Sequence, residues 1–217
     1  DMGITKISLV APYLCYMRQD MAFHPGEAVS QKIIGQYLAQ HFDNIITVDP
    51  HLHRTPDLQS AVPCKQAISL SATQSLGEFL VSHNKKYILI GPDEESEQWV
   101  STIASYGGFD FGIAHKTRLA DRQVEITLPG LDVSQAEIIL VDDMISTGHT
   151  MLETAKLLFK NGAASINCLV THALCDSEVI TMLQGSGIES VWSTDSIIHH
   201  TNSVHLDSLL AEGISLL

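Results

Sequence analysis

Residues 138–150 constrain the fold more than any other stretch. They open with an apolar, β-branched run from Ile138 to Val141, of buried-strand length, and stop on two carboxylates, Asp142 and Asp143. Ser146, Thr147 and Gly148 follow as a loop. A helix is predicted from about Met151, with Met151, Leu152, Ala155, Leu158 and Phe159 on one face and Gly162 ending it. A strand, a small-residue loop and a helix start together make an anion site, because backbone N–H groups point outward and the helix dipole adds partial positive charge. Ser146, Thr147 and Thr150 add hydroxyls, and Gly148 lets a phosphate approach the backbone closely. The carboxylates suit sugar hydroxyls or a Mg²⁺ ion beside the phosphate. The combined reading is a sugar phosphate, with its phosphate in the loop and its ribose hydroxyls on Asp142 and Asp143. The alternative is a charged turn before an ordinary capped helix. A Walker loop is excluded, since no lysine follows the glycine.

The remaining chain alternates strands and helices. Strands are expected at 4–11, with Ile7 and Leu9 inward, and at 44–48, 87–90, 109–114, 166–170 and 190–192. Helices are expected at 25–40, with Val29, Ile33, Tyr37 and Leu38 on one side, from Thr73 through Leu80, at 94–105, and near 177–183 and 204–212. Residues 117–124 are polar and without period, and are expected to form a mobile loop. This order predicts βαβ units, a parallel sheet and an α/β fold. Ligands in such sheets sit beyond the carboxyl ends of the strands. Those ends carry Arg18, Gln19 and Asp20, then Asp49 and His51, Asp93, Lys116 and Arg118, and the 142–150 segment.

The net charge of −13, with no Lys/Arg cluster, excludes nucleic acid and anionic membrane as main partners. The four cysteines lack Cys-x-x-Cys spacing and read as reduced thiols of a cytoplasmic protein. No apolar run reaches membrane-spanning length, and no signal peptide is evident.

Residues 141–150 resemble the phosphoribosyl-diphosphate (PRPP) binding motif of phosphoribosyltransferases and PRPP synthetases. Arg18-Gln19-Asp20 followed by 23–27, the 45–51 segment ending Asp49-Pro50-His51, and Lys116-Thr117-Arg118 resemble the ribose-phosphate pyrophosphokinase family in particular, in that family's order. The resemblance implies a phosphoribosyltransferase-type, Rossmann-like α/β fold. Residues 1–62 would be the remainder of an N-terminal domain lacking its first strands, and 63–217 the C-terminal domain, with a final helix packing back across the boundary. It also implies transfer of the diphosphoryl group of ATP to ribose 5-phosphate, Mg²⁺ dependence and a homo-oligomer, dimer or higher. Arg18 and Gln19 would then contact ATP, and Lys116 and Arg118 would act on the transferring group. His51 and Asp93 would serve the metal. Asp142, Asp143, Ser146, Thr147, Gly148, His149 and Thr150 would bind the sugar phosphate. Two departures stand out. Met21 and Ala22 follow Asp20 where a second basic residue is common, and Ser146 replaces a frequent third acid. A phosphoribosyltransferase that consumes PRPP, and a non-catalytic regulatory homologue, are the alternatives.

Overall fold

The computed structural model describes residues 3–120, 123–127 and 130–217, with side chains for 3–115 and 130–217. Contacts divide the chain into two compact units, Asp1–Ala72 with Leu206–Leu217, and Thr73–His205.

The first unit holds a parallel sheet in the order β1-β2-β3, made of β1 (Ser8–Val10), β2 (Asn44–Val48) and β3 (Gln66–Leu70). Every residue of β2 is buried, as a central strand requires. The reading of β1 needs correction, because Ile7 precedes the strand and is exposed. Helix α1 (Ser30–His41) starts five residues after Pro25 rather than at it. Its expected apolar stripe is also wrong, since Ile33 and Tyr37 are exposed while Gln31 and Gly35 are buried. A side chain at Gly35 would collide with the Ala61 carbonyl, so the helix packs there by backbone approach. Helix α2 (Leu58–Ala61) was not anticipated. Asp57 caps it by accepting from the Ser60 N–H at 2.7 Å. Helix α7 (Asp207–Ser215) lies on β3, where a Cβ at Gly213 would stand 2.6 Å from Leu70 Cδ1. The sequence boundary at Pro63 falls just before β3, which pairs with β2 and so belongs to this unit.

The second unit is built on a parallel sheet in the order β11-β10-β9-β8-β4-β5. Its strands are β4 (Ile88–Gly91), β5 (Asp110–Ile113), β8 (Glu137–Ile145), β9 (Ser165–Ala173), β10 (Ile188–Thr194) and β11 (Asn202–Val204). Helices α3 (Thr73–Ser82) and α4 (Glu97–Gly107) precede and follow β4, whereas α5 (His149–Lys160) and α6 (Ser177–Gly185) flank β9. In α4 the inward residues are Trp99, Val100 and Ile103, as the periodicity predicts, and Gly108 closes it at φ +64°. The core around α5 and α6 gathers Ile138, Leu140, Leu158, Ile166, Cys168, Val170 and Leu183. Cys168 is fully buried, and burial pushes its thiol up, so it packs as a small hydrophobe.

The region expected to be a loop at 117–124 differs. Backbone pairing joins β6 (His115–Ala120) and β7 (Gln123–Thr127) into an antiparallel ribbon, with Lys116 opposite Ile126 and Arg118 opposite Val124. Residues 121–122 and the side chains of 116–129 lie outside the described residues. Among the described residues, no helix is long and apolar enough to cross a membrane.

Candidate functional site

The second sheet runs outward from β4 to β5, then returns to place β8 on the opposite side of β4. That reversal makes the carboxyl ends of β4 and β8 a topological switch point, the position where open parallel sheets bind ligands. Asp93 follows β4 by two residues, and Asp142 and Asp143 stand on β8.

Strand β8 is longer than its apolar run. It continues through both carboxylates to Ile145, with Asp142 in register with Val170 and Met144 with His172. The expected stop at Asp142 is therefore corrected, and the carboxylates are held on a rigid strand. Asp143 is 3 % exposed, and its N–H donates to Asp142 Oδ1 at 2.9 Å. Burial, then the neighbouring charges of Asp143 and Asp93, push the Asp142 carboxyl well above the usual carboxylate range. The Asp142 carboxyl thus stands among the negative charges of Asp143 and Asp93. A hard divalent ion with oxygen ligands fits that donor set.

The loop consists of Ser146, Thr147 and Gly148, and α5 begins at His149 rather than Met151. Gly148 has φ +74°, the left-handed region. Space forbids a side chain as well, because a Cβ would stand 2.8 Å from Val179 Cγ1 and 3.1 Å from Met182 Cε. The loop is thus seated on α6. Among the described residues the hydroxyls of Ser146 and Thr147 have no hydrogen-bond partner, and the first-turn N–H groups of α5 have no acceptor within the helix. Donors left open around a helix N-terminus are the physical requirement for holding a phosphate. The far end of α5 is closed as predicted. Gly162 N–H donates to Phe159 O and Ala163 N–H to Leu158 O, both at 3.0 Å, which is a Schellman pattern.

In the first unit, Arg18 and Gln19 lie after β1 and His51 lies after β2, at the carboxyl end of that sheet. Arg18 is exposed, and its guanidinium makes no ion pair among the described residues. Gln19 is turned back onto α1, its Nε2 donating to Ala28 O at 2.8 Å and its Oε1 accepting from Ser30 N–H at 3.2 Å and from the Ser30 hydroxyl. The His51 and His53 rings meet edge to face at 3.7 Å. The Arg54 guanidinium donates to Asp20 Oδ1 at 2.9 Å, and Gln31 bonds to the backbone of Met17 and Gln19. Sequence reasoning gave Asp20 no role of its own within the Arg18-Gln19-Asp20 motif, and it passed over Arg54 and Gln31. It also missed Val179 and Met182 behind Gly148.

The model of the phosphoribosyl synthetase-associated domain matches residues 116–217. The chain is 34 % identical over 217 residues to the ribose-phosphate pyrophosphokinase of Methanopyrus kandleri, covering 99 % of this chain and 73 % of that protein. It is 33 % identical to ribose-phosphate pyrophosphokinase 2 of Archaeoglobus fulgidus, covering 94 % and 73 %. The fold superposes on the crystal structure of phosphoribosylpyrophosphate synthetase from Mycobacterium smegmatis with a TM-score of 0.81, covering 97 % of this chain and 70 % of that one at 24 % identity. The chain belongs to the ribose-phosphate pyrophosphokinase family.

Proposed function

We propose that the chain transfers the β,γ-diphosphoryl group of ATP to the 1-hydroxyl of ribose 5-phosphate, giving PRPP and AMP for nucleotide biosynthesis. The observation that carries this reading is the Asp142–Asp143 pair set directly before a donor-rich loop and helix start. Membership of the pyrophosphokinase family supports it. The 1-hydroxyl oxygen bonds to the β-phosphorus as the bond from that phosphorus to the α,β-bridging oxygen breaks. AMP takes the bridging oxygen, and the hydroxyl proton passes to solvent. Such a transfer needs in-line positioning and charge neutralisation rather than covalent participation by the protein.

Each residue has a role in this reading. The N–H groups and hydroxyls of Ser146, Thr147, Gly148, His149 and Thr150 hold the 5-phosphate, and Asp142 and Asp143 accept from the ribose hydroxyls. Arg18 meets the ATP phosphates, with Gln19 beside it. Lys116 and Arg118 bring two cations to the transferring group, Arg118 with a bidentate fork. Asp93 offers oxygen to Mg²⁺, and His51 acts through a water or on a phosphate oxygen, because imidazole is a poor ligand for that ion. When bound, Mg²⁺ supplies the positive charge that an acidic protein lacks for a polyphosphate. The two units are taken as the family's two domains, in a cytoplasmic homo-oligomer. A phosphoribosyltransferase reading is not favoured, since the relatives above are pyrophosphokinases.

Steady-state kinetics with both substrates varied tests the roles. Lys116→Ala should lower kcat by roughly 10²–10³ with little change in KM for ribose 5-phosphate, the loss expected of a charge contact made in the transition state. Asp142→Ala should instead raise KM for ribose 5-phosphate. A Lys116→Ala variant in which only KM moves makes the lysine a binding residue and refutes this mechanism.

A further inference from the structure

The segment that carries Arg18 is held by one buried residue from another element, through its backbone and its side chain. Gln31, on the first turn of α1, is 2 % exposed. Its N–H donates to Gln19 O at 3.1 Å, and its Nε2 donates to Met17 O at 3.1 Å. Gln31 therefore grips the two peptide carbonyls of the residues on either side of Arg18. Its remaining amide atom, Oε1, accepts from the Thr55 hydroxyl at 2.8 Å, which ties the same side chain to the segment that follows His51. A second tie runs parallel to the first. Arg54 N–H and Nη1 both reach the Asp20 carboxylate, at 3.3 and 2.9 Å, and that carboxylate is 2 % exposed. Apolar anchors seat the Arg18 segment from below, because Leu14 and Met17 are buried in the core cluster with Ile45 and Leu58.

An apolar side chain would fill the Gln31 position without the desolvation cost of an amide. What the amide adds is direction, fixing the Met17 carbonyl and the Thr55 hydroxyl at once, while the backbone N–H holds the Gln19 carbonyl. We propose that Gln31 is a positioning residue that presets Arg18 against the segment after His51 for binding of ATP with its divalent cation, and that Thr55 completes its bonding. The proposal rests on the proposed function, and it assigns a specificity for one substrate to a residue that touches neither.

The test is steady-state kinetics of Gln31→Leu, Thr55→Val and the double variant, with MgATP and ribose 5-phosphate varied separately and folding checked by circular dichroism. Gln31→Leu should raise KM for MgATP about tenfold, the loss of one or two hydrogen bonds' worth of preorganisation, with KM for ribose 5-phosphate within about twofold. Thr55→Val should move KM for MgATP in the same direction by about threefold. The double variant should match Gln31→Leu, because the two side chains share one bond. Thr55 decides the matter if Gln31→Leu does not fold. Folded variants with unchanged KM for MgATP, or with equal shifts for both substrates, overturn the inference while leaving the proposed function standing. A wild-type protein that forms no PRPP overturns the proposed function and this inference with it.

Discussion

Gly148→Ala should damage both stability and ribose 5-phosphate binding, and the structure sets the size of the effect. The residue sits at φ +74°, where an L-residue with a Cβ costs about 1–2 kcal/mol. The new methyl would also stand 2.8 Å from Val179 Cγ1 and 3.1 Å from Met182 Cε, closer than carbon atoms pack. Overpacking of that kind costs about 1–3 kcal/mol. The sum, about 2–5 kcal/mol, is a large part of the stability of an ordinary domain. Urea unfolding measures the loss, and calorimetric titration of ribose 5-phosphate measures the effect on the loop. A second variant separates the two causes. Gly148→Ala combined with Val179→Ala removes the colliding methyl, so the pair should cost less than the sum of its parts by about 1–2 kcal/mol. The reasoning fails if Gly148→Ala unfolds within about 0.5 kcal/mol of wild type and binds ribose 5-phosphate equally well.

Two further outcomes follow from the same elements. Asp142 holds its proton more tightly folded than unfolded, so between about pH 4 and its raised folded value stability should fall with rising pH, by up to about 1.4 kcal/mol per unit. Asp142→Asn should flatten that slope and raise the melting temperature at neutral pH while weakening ribose 5-phosphate binding; a slope identical to wild type in a melting series contradicts the assignment. Asp176 caps α6 by accepting from the Glu178 and Val179 N–H groups, each at 3.1 Å. Its change to alanine should cost about 1 kcal/mol in urea unfolding, and a loss below a few tenths would show the cap to be idle.

Much of the second sheet was legible because apolar runs such as 138–141 and 166–170 fill a two-sided core. The parallel fold follows from their spacing, and the loop and helix start after the two carboxylates from residue types at the strand end. What escaped had physical reasons. Strand β8 runs on through Asp142 and Asp143, polar residues that read as a stop although the backbone pairing continues. Strand β3 pairs fully with β2, yet its Gln66 and Ser69 dilute the apolar signal. Strands β6 and β7 are joined by backbone bonds, which leave little mark on side-chain type. Helix α1 misled for the opposite reason: its buried face is set by Gln31 and Gly35, one bonding to loops and the other making room for a carbonyl, while Ile33 and Tyr37 point outward. A pattern search for apolar periodicity cannot find a face buried through polar and absent side chains.

Diphosphoryl transfer to ribose 5-phosphate is read out by ³¹P NMR of the protein with ATP, Mg²⁺ and ribose 5-phosphate. AMP and PRPP should appear together in equal amounts, with no ADP, and no product should form once the divalent cation is chelated. Formation of ADP with a ribose bisphosphate, or turnover undiminished by exhaustive chelation, would contradict it.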